Sequence, residues 1–290
     1  MWKNRESVVG NSSEWNHTKM SGSSNCERFQ SDAQKYAAYL ETPEGRLRID
    51  LAFANLREFL PQASQSLRAL DVGCGTGAIG VRLARLGLDV TLLDSSASML
   101  DIAESAAKHA GVLERIELKK GEADQMAKLF PAESFDLVVC HNILEFVDDP
   151  IAVLRAAARA LRASSGMISV LVRNQPGEVL KAALVDGDVA AAEQCLTSEW
   201  GDESLYGGKV RLFTRESLSS MLAIASFTVT AERGVRVMSD YLPPKVSRHH
   251  EYERIFELER KLAMRPEFAA IARYTHCLAQ RNGPQMNGAA

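Results

Sequence analysis

Hydrophobic and polar positions change period several times along the chain, and each change marks an expected element. Residues 36–60 carry Leu47, Ile49, Leu51, Ala54, Leu56 and Leu60 at helical spacing, which predicts one or two amphipathic helices. Strands and helices then alternate. Strands are predicted at 67–72, 89–93, 115–119, 135–140 and 167–172, and helices at 78–86, 98–110 and 150–162. Ser95 or Ser96 is the N-cap candidate for the helix at 98–110, and the helix at 150–162 opens on a proline. Alternation with short connections implies an α/β fold, a mostly parallel sheet with helices on both faces. In such a sheet the ligand belongs beyond the carboxyl ends of the strands, so the residues just after each strand are the ones to inspect.

After residue 172 the rhythm breaks. Residues 174–214 contain Pro and Gly and two helical stretches, 177–185 and 189–196, and read as an insertion or lid. A helix at 215–224 with Thr214 as its cap, a strand at 227–238 interrupted at Gly234, a helix at 250–263 and a last strand at 271–279 complete the domain, which spans 31–280. Residues 1–30 are rich in Ser, Asn and Gly without periodicity and are predicted to stay disordered or loosely docked, and the tail at 281–290 is predicted to be flexible.

Composition narrows the classes. With 290 residues, 46% hydrophobic and 24% charged, the chain can bury a sizeable core. A net charge of −3 excludes bulk attraction to polyanions but leaves room for a local basic face. The five cysteines, Cys26, Cys74, Cys140, Cys195 and Cys277, are odd in number, widely spaced and without CxxC. Neither a disulfide framework nor a metal site is expected, and a reducing cytoplasm suits such a set. There is no apolar run of transmembrane length and no apolar core of a signal peptide.

The chemistry-bearing signal is Leu70-Asp71-Val72-Gly73-Cys74-Gly75-Thr76-Gly77. An acid ends the first strand and alternating glycines follow, allowing a tight turn, close backbone approach of a ligand and a helix N-terminus behind it. Asp94 ends the second strand, where a carboxylate can accept from two ribose hydroxyls. Glu122 follows the third strand, where the loop can border an adenine, and His141 and Asn142 follow the fourth. A P-loop is excluded because GxxxxGK[ST] is missing. A dehydrogenase GxGxxG remains an ambiguous fit through Gly75, Gly77 and Gly80. Asp71 before the loop suits a cationic amino group, which S-adenosylmethionine (SAM) carries in its methionine portion.

The segments LDVGCGTG, LLDSSASML and FDLVVCHNILEFVDDP together resemble the class I SAM-dependent methyltransferases, over roughly residues 36–172. The resemblance implies a Rossmann-like sheet of seven strands with an antiparallel last strand, the final two supplied near Phe227 and Ile271. A narrower resemblance, over most of the chain after residue 36, is to the bacterial tRNA 5-carboxymethoxyuridine methyltransferases. It is carried by TPEGRLR at 42–48, HNILEFVDDP at 141–150, GVRVMSDYL at 234–242, and ELE and RYTH at 257–259 and 273–276. It implies SAM contacts at Arg48, Gly73, Cys74, Asp94, Glu122, Ala123 and His141, and the tRNA anticodon loop as partner. Cys74 and Thr76 depart from the usual glycine-loop pattern, and residues 174–214 diverge most.

Methyl transfer needs alignment above all. A carboxylate acceptor is ionised at neutral pH and needs a positioning cation rather than a base. Arg173 after the fifth strand and Arg236 in GVRV are the candidates, with Tyr241 to hydrogen-bond or stack on the acceptor. A hydroxyl or amine acceptor would call on His141 as base. Residues 209–273 hold twelve Lys or Arg against eight Asp or Glu, with a basic cluster at Lys245–His250 and Arg254, and Tyr206, Phe213, Tyr241 and Tyr252 are candidates for stacking on RNA bases. His249 and His250 read as surface residues. A small-molecule methyltransferase with residues 174–214 as its lid, and a non-catalytic nucleotide-binding protein, stand as alternatives.

Overall fold

Helix α1 (Ala33–Leu40) and helix α2 (Pro43–Arg57) precede the first strand. Helix α2 starts where it does because the Thr42 hydroxyl accepts from the Gly45 N–H at 3.1 Å and Pro43 occupies a first-turn position. Five parallel strands follow: β1 (Arg68–Val72), β2 (Asp89–Asp94), β3 (Ile116–Lys120), β4 (Leu137–His141) and β5 (Met167–Arg173). Between them run α3 (Ala78–Arg85), α4 (Ala97–His109), the single turn α5 (Met126–Leu129) and α6 (Pro150–Ala160). Ser96 is the N-cap of α4 and accepts from the Met99 N–H, while Asp149 caps α6 ahead of Pro150. The computed structural model describes residues 32–60, 67–163, 165–203, 205 and 207–283, so the leader at 1–30 and residues 284–290 of the tail lie outside the described residues.

Beyond β5 the chain leaves the sheet for α7 (Gln175–Leu184), α8 (Val189–Cys195) and a separate antiparallel pair, β6 (Trp200–Asp202) and β7 (Lys209–Arg211). Helix α9 (Arg215–Ile224), capped by Thr214, leads to β8 (Phe227–Val235). Helices α10 (Tyr252–Ala263) and α11 (Pro266–Ala269) lead to β9 (Tyr274–Arg281). Strand β9 pairs antiparallel with both β5 and β8, completing the order β3-β2-β1-β4-β5-β9-β8. The Rossmann-like seven-stranded sheet with its antiparallel last strand is therefore as expected.

Several boundaries shift by one to three residues, strand β8 for one ending at Val235 rather than 238, and three differences have a physical cause. Strand β4 begins at Leu137, because Phe135 is drawn into an isolated bridge with Leu161. Strand β8 passes through Gly234 without a break, and its irregularity lies between Val229 and Ala231. Gly234 is there for packing: a Cβ would sit 2.9 Å from that of Ala272. The last strand starts at Tyr274 because α11 takes up the chain before it.

Two apolar layers sandwich the sheet. On one face Ile79, Leu83, Leu100 and Ala103 of α3 and α4 cover Leu92 and Val139; on the other Val153, Leu154, Ala157 and Leu218 of α6 and α9 cover Val138, Val170 and Val172. A smaller cluster of Leu47, Leu51, Ile255 and Tyr274 seals α2 and α10 beside β8 and β9. Strands β2, β4 and β5 are buried through their middles and open again at the last residue, Asp94, His141 and Arg173. Burial thus delivers three polar side chains to one end of the sheet. Among the described residues, no helix is long and apolar enough to cross a membrane.

Candidate active site

A cavity of about 770 Å³ opens at that end of the sheet, within the roughly 300–1,000 Å³ range of ligand pockets. The glycine loop forms one wall. Gly73 and Cys74 donate to the Leu93 carbonyl at 2.8 and 3.1 Å, clamping the loop to β2. Asp94 accepts from Gly75 N–H at 2.8 Å and from Ser96 N–H at 2.9 Å. Burial raises its pKa, opposed by these N–H donors. Gly73, Gly75, Asp94, Glu122 and Ala123 all line the cavity. Glu122 also caps the short 3₁₀ turn at Ala123–Gln125, and its carboxyl is pushed up by partial burial.

Three residues expected at the cofactor do not line the cavity. Asp71 is only 3% exposed and does not line the cavity; its Oδ2 accepts from the Gly80 N–H at 3.1 Å, locking the start of α3 to β1. Burial, followed by the nearby Asp94 charge, lifts its pKa to about 7 against the Gly80 hydrogen bond. Cys74 turns its thiol to the Gly75 carbonyl, with Sγ 3.6 Å from the oxygen. Gly77 has φ +73 at the N-cap of α3, and a Cβ there would lie 3.0 Å from Ala103, so it serves the approach of α3 and α4.

Arg48 enters the cavity from α2. Its Nη2 donates to the Tyr36 hydroxyl at 2.7 Å, and its guanidinium lies 5.3–5.7 Å from the ring centroids of Tyr36, Tyr39 and Tyr274. Among the described residues it makes no ion pair, and its buried Nε has no partner. Burial opposes its charge, but the three phenols outweigh that and raise its pKa. A buried, uncompensated guanidinium with an open donor is suited to an anion. Together with Asp94 and the glycine wall it fits the carboxylate and ribose ends of SAM.

His141 belongs to a buried relay. Its Nε2 is 2.8 Å from Ser169 Oγ, which is 2.8 Å from His276 Nε2, and His276 Nδ1 meets the Asn55 amide at 3.4 Å. With Asn55 donating, a neutral chain has one proton order. His276 donates to Ser169, Ser169 donates to His141 Nε2, and His141 keeps its proton on Nδ1. That Nδ1 is buried without a partner. Burial, then His276 and Arg48, drives the His141 pKa well below its usual value. It is a poor base near neutrality, which counts against the base role.

The opposite wall is an alternating chain of charges. Glu203 pairs with Arg173, Arg173 with Glu178 at 3.2 Å, Glu178 with Arg273 at 2.5 Å, Arg273 with Asp240 at 3.7 Å, and Asp240 with Arg236 at 2.5 Å. Arg173 and Arg236 do line the cavity, as a positioning cation must, and each is already held by a carboxylate. Arg236 also donates to the Tyr39 hydroxyl at 3.0 Å and adopts φ +58. Tyr241 is not part of the lining; its hydroxyl lies 3.5 Å from the Gly177 carbonyl. Tyr274 is: burial raises its pKa, and Arg48, Arg173, Arg236 and Arg273 more than reverse this. Glu145 fixes Asn142, itself at φ +54, and the Arg173 N–H, both at 2.9 Å from its Oε1.

For the outer surface, Lys245, His249, His250 and Arg254 are exposed, whereas Arg248 is tied to Glu44 and to the carbonyls of Ser239 and Leu242. Phe213 is core, and Tyr252 is held by Asp50 at 2.5 Å under Arg46, so neither is a free stacking platform. Tyr206 lies outside the described residues. Sequence reasoning missed Tyr36, Tyr39, Ser169, Glu178 and Glu203, none of which sits in a local motif, and it passed over Asp240, which lies within GVRVMSDYL. Arg273 and Tyr274 were within reach, since RYTH carried part of the narrower resemblance.

Residues 70–169 match the family model described as "Methyltransferase domain". The same fold recurs in a SAM-dependent methyltransferase from Thermotoga maritima (TM-score 0.58, 16% identity, covering 89% of this chain and 99% of that one). It recurs in another from Methanosarcina mazei (TM-score 0.54, 18% identity, 79% and 98%). The chain is a SAM-dependent methyltransferase with a Rossmann-like fold, which sets aside the dehydrogenase and non-catalytic alternatives. Over most of its length it is similar to the tRNA 5-carboxymethoxyuridine methyltransferase of Escherichia coli O157:H7, at 29% identity over 255 residues, 87% of this chain and 95% of the relative. It is also similar to the ubiquinone biosynthesis O-methyltransferase of Xanthomonas euvesicatoria, at 32% over 124 residues, but this covers only 43% of the chain and 50% of the relative.

Proposed function

We propose that this chain methylates the carboxylate of 5-carboxymethoxyuridine at the wobble position of tRNA, forming its methyl ester. The observation that carries the reading is the character of the acceptor wall. Arg48, Arg173, Arg236 and Arg273 surround Tyr274, while the sole histidine lining the cavity among the described residues is held neutral and poorly basic. Such a wall suits an acceptor that arrives ionised, as a carboxylate with a pKa near 4 does, and ill suits a hydroxyl or amine that must lose a proton. The E. coli relatives with the matching name support the same substrate, because their similarity extends through the C-terminal half.

SAM, when bound, supplies an electrophilic methyl group on a sulfonium. We assign its ribose to Asp94, its carboxylate to Arg48, its backbone-facing side to Gly73 and Gly75, and the border of its adenine to Glu122 and Ala123. His141 offers Nδ1–H to the ligand rather than removing a proton. The arginines balance the acceptor's charge without protonating it, and the ion-pair chain positions the arginines that hold it in line. Lys245, His249, His250 and Arg254 are assigned to tRNA phosphates.

Nucleoside mass spectrometry of tRNA from a strain lacking the gene tests the reading. Loss of the methyl ester with build-up of the free acid is the expected result; unchanged ester content would reject the substrate. A second reading, methylation of a small-molecule acceptor, is favoured by the size of the cavity and would then take its place.

A further inference from the structure

We propose that Glu203 is a resident stand-in for the acceptor: its carboxylate occupies, on Arg173, the place taken by the substrate carboxylate, so that the acceptor binds by exchange with it. The inference rests on the carboxylate-acceptor reading above and adds to it a residue that sets specificity.

The argument begins with the fork of Arg173. Its backbone N–H is fixed by Glu145 at 2.9 Å, and its guanidinium divides between two carboxylates, Nη1 to Glu178 and Nη2 to Glu203. The two partners are not equivalent. Glu178 belongs to α7 and has a second cation, Arg273, at 2.5 Å. It is a link within the ion-pair chain. Glu203 is the end of that chain, and Arg173 is its only cationic partner among the described residues. It is carried not by the sheet but by the segment that joins the three-residue strands β6 and β7, and both Glu203 and Arg173 line the cavity. Removing Glu203 from Arg173 leaves every other pair in the chain intact.

Charge supplies the selectivity. The chain comprises three arginines and three carboxylates, so it is neutral as it stands. Exchange of one carboxylate for another preserves that neutrality, needs no proton transfer, and uses the planar fork for which a carboxylate is the matching shape. The displaced Glu203 regains water. A neutral acceptor in the same position would leave Arg173 short of a partner in a buried site, which is costly. Glu203 thus weakens binding of every acceptor and penalises uncharged ones most, a specificity device of the repulsive kind.

The test uses the full chain loaded with SAM and two probes. One is tRNA bearing 5-carboxymethoxyuridine, prepared from a strain lacking the gene; the other is phenoxyacetate, a small aryloxyacetate followed by calorimetry. Glu203→Gln keeps an oxygen to accept the Leu205 N–H, now made at 2.8 Å, so the local turn has its support. Removing the competing charge should lower KM for the tRNA and Kd for phenoxyacetate by about three- to tenfold, as expected when a competing state is removed. Glu203→Asp, which keeps the charge, should stay closer to wild type on both probes. A residue that merely supported the fold would raise KM or leave it unchanged. Phenoxyacetate binding that is equal or weaker in Glu203→Gln overturns the proposal. Failure of the wild type to methylate the tRNA overturns the substrate reading instead, and phenoxyacetate still decides the role of Glu203.

Discussion

Asp71 separates local pattern from tertiary placement. An acid immediately before a glycine loop invites pairing with the ammonium of SAM, yet its carboxylate is turned into the protein and spends its hydrogen bond on Gly80. Asp71→Asn can keep that hydrogen bond through its amide oxygen. It should therefore change the SAM dissociation constant by less than about threefold in calorimetry, a fraction of the 1.4 kcal/mol that a decade represents. The same variant has a pH signature. The folded-state pKa is raised from 3.8 to about 7. The contribution of Asp71 is thus fully present below the unfolded value and is lost as pH rises through the window to 7. At pH 8 the asparagine variant should be more stable than wild type by on the order of 2–4 kcal/mol, and at pH 4 the two should converge. Urea melts at the two pH values check this; a variant less stable at pH 8 would contradict the burial of the carboxylate. The placement of Asp94 was legible because it ends a buried strand at a fixed distance from the glycines. That of Asp71 was not, because which way a side chain turns at a strand end depends on the helix packed behind it.

At the scale of elements, Gly77 shows what the glycine loop does besides approach a ligand. It sits at φ +73 as the N-cap of α3, and the Cβ it lacks would press on Ala103 of α4 and on Leu92. Gly77→Ala should cost about 1–2 kcal/mol from the left-handed backbone alone, read as a lower urea midpoint with an unchanged slope. An unaltered midpoint would show that the loop relaxes without penalty. The five parallel strands and their helices could be read in the sequence because each is a short local run bounded by its own turn. The far wall of the site could not. Glu178, Glu203, Asp240 and Arg273 come from α7, the β6–β7 connection, the turn after β8 and the residue before β9. They meet through tertiary placement alone, in which the antiparallel pairing of β9 with β5 sets Tyr274 opposite Arg173. The sequence marks their types but carries no spacing that predicts their contact, and so the carboxylate partners of Arg173 and Arg236 were not foreseen.

For the whole molecule, the proposed tRNA substrate raises the question of how a chain with net charge −3 would meet a polyanion. Bulk charge opposes the encounter, so attraction has to come from a face rather than from the total. Lys245, His249, His250 and Arg254 lie exposed around the start of α10, and Arg254 is 86% exposed, its only ion-pair partner among the described residues being Glu251 three residues earlier. Surface ion pairs of this kind hold little energy, so Arg254 can be transferred to a phosphate at small cost. If this face is the tRNA face, each lost phosphate contact removes one counterion-release term and lowers the salt dependence. Lys245→Glu with Arg254→Glu should weaken tRNA binding and reduce the slope of log K against log salt by about 1.5–2. SAM binding, measured on the same double variant, should not move, because neither residue lines the cavity. A salt slope equal to that of wild type would assign tRNA to another surface while leaving the cofactor end of the site as described. A parallel loss of SAM affinity would show instead that the substitutions disturb the fold, since α10 also packs against α2, the helix that carries Arg48.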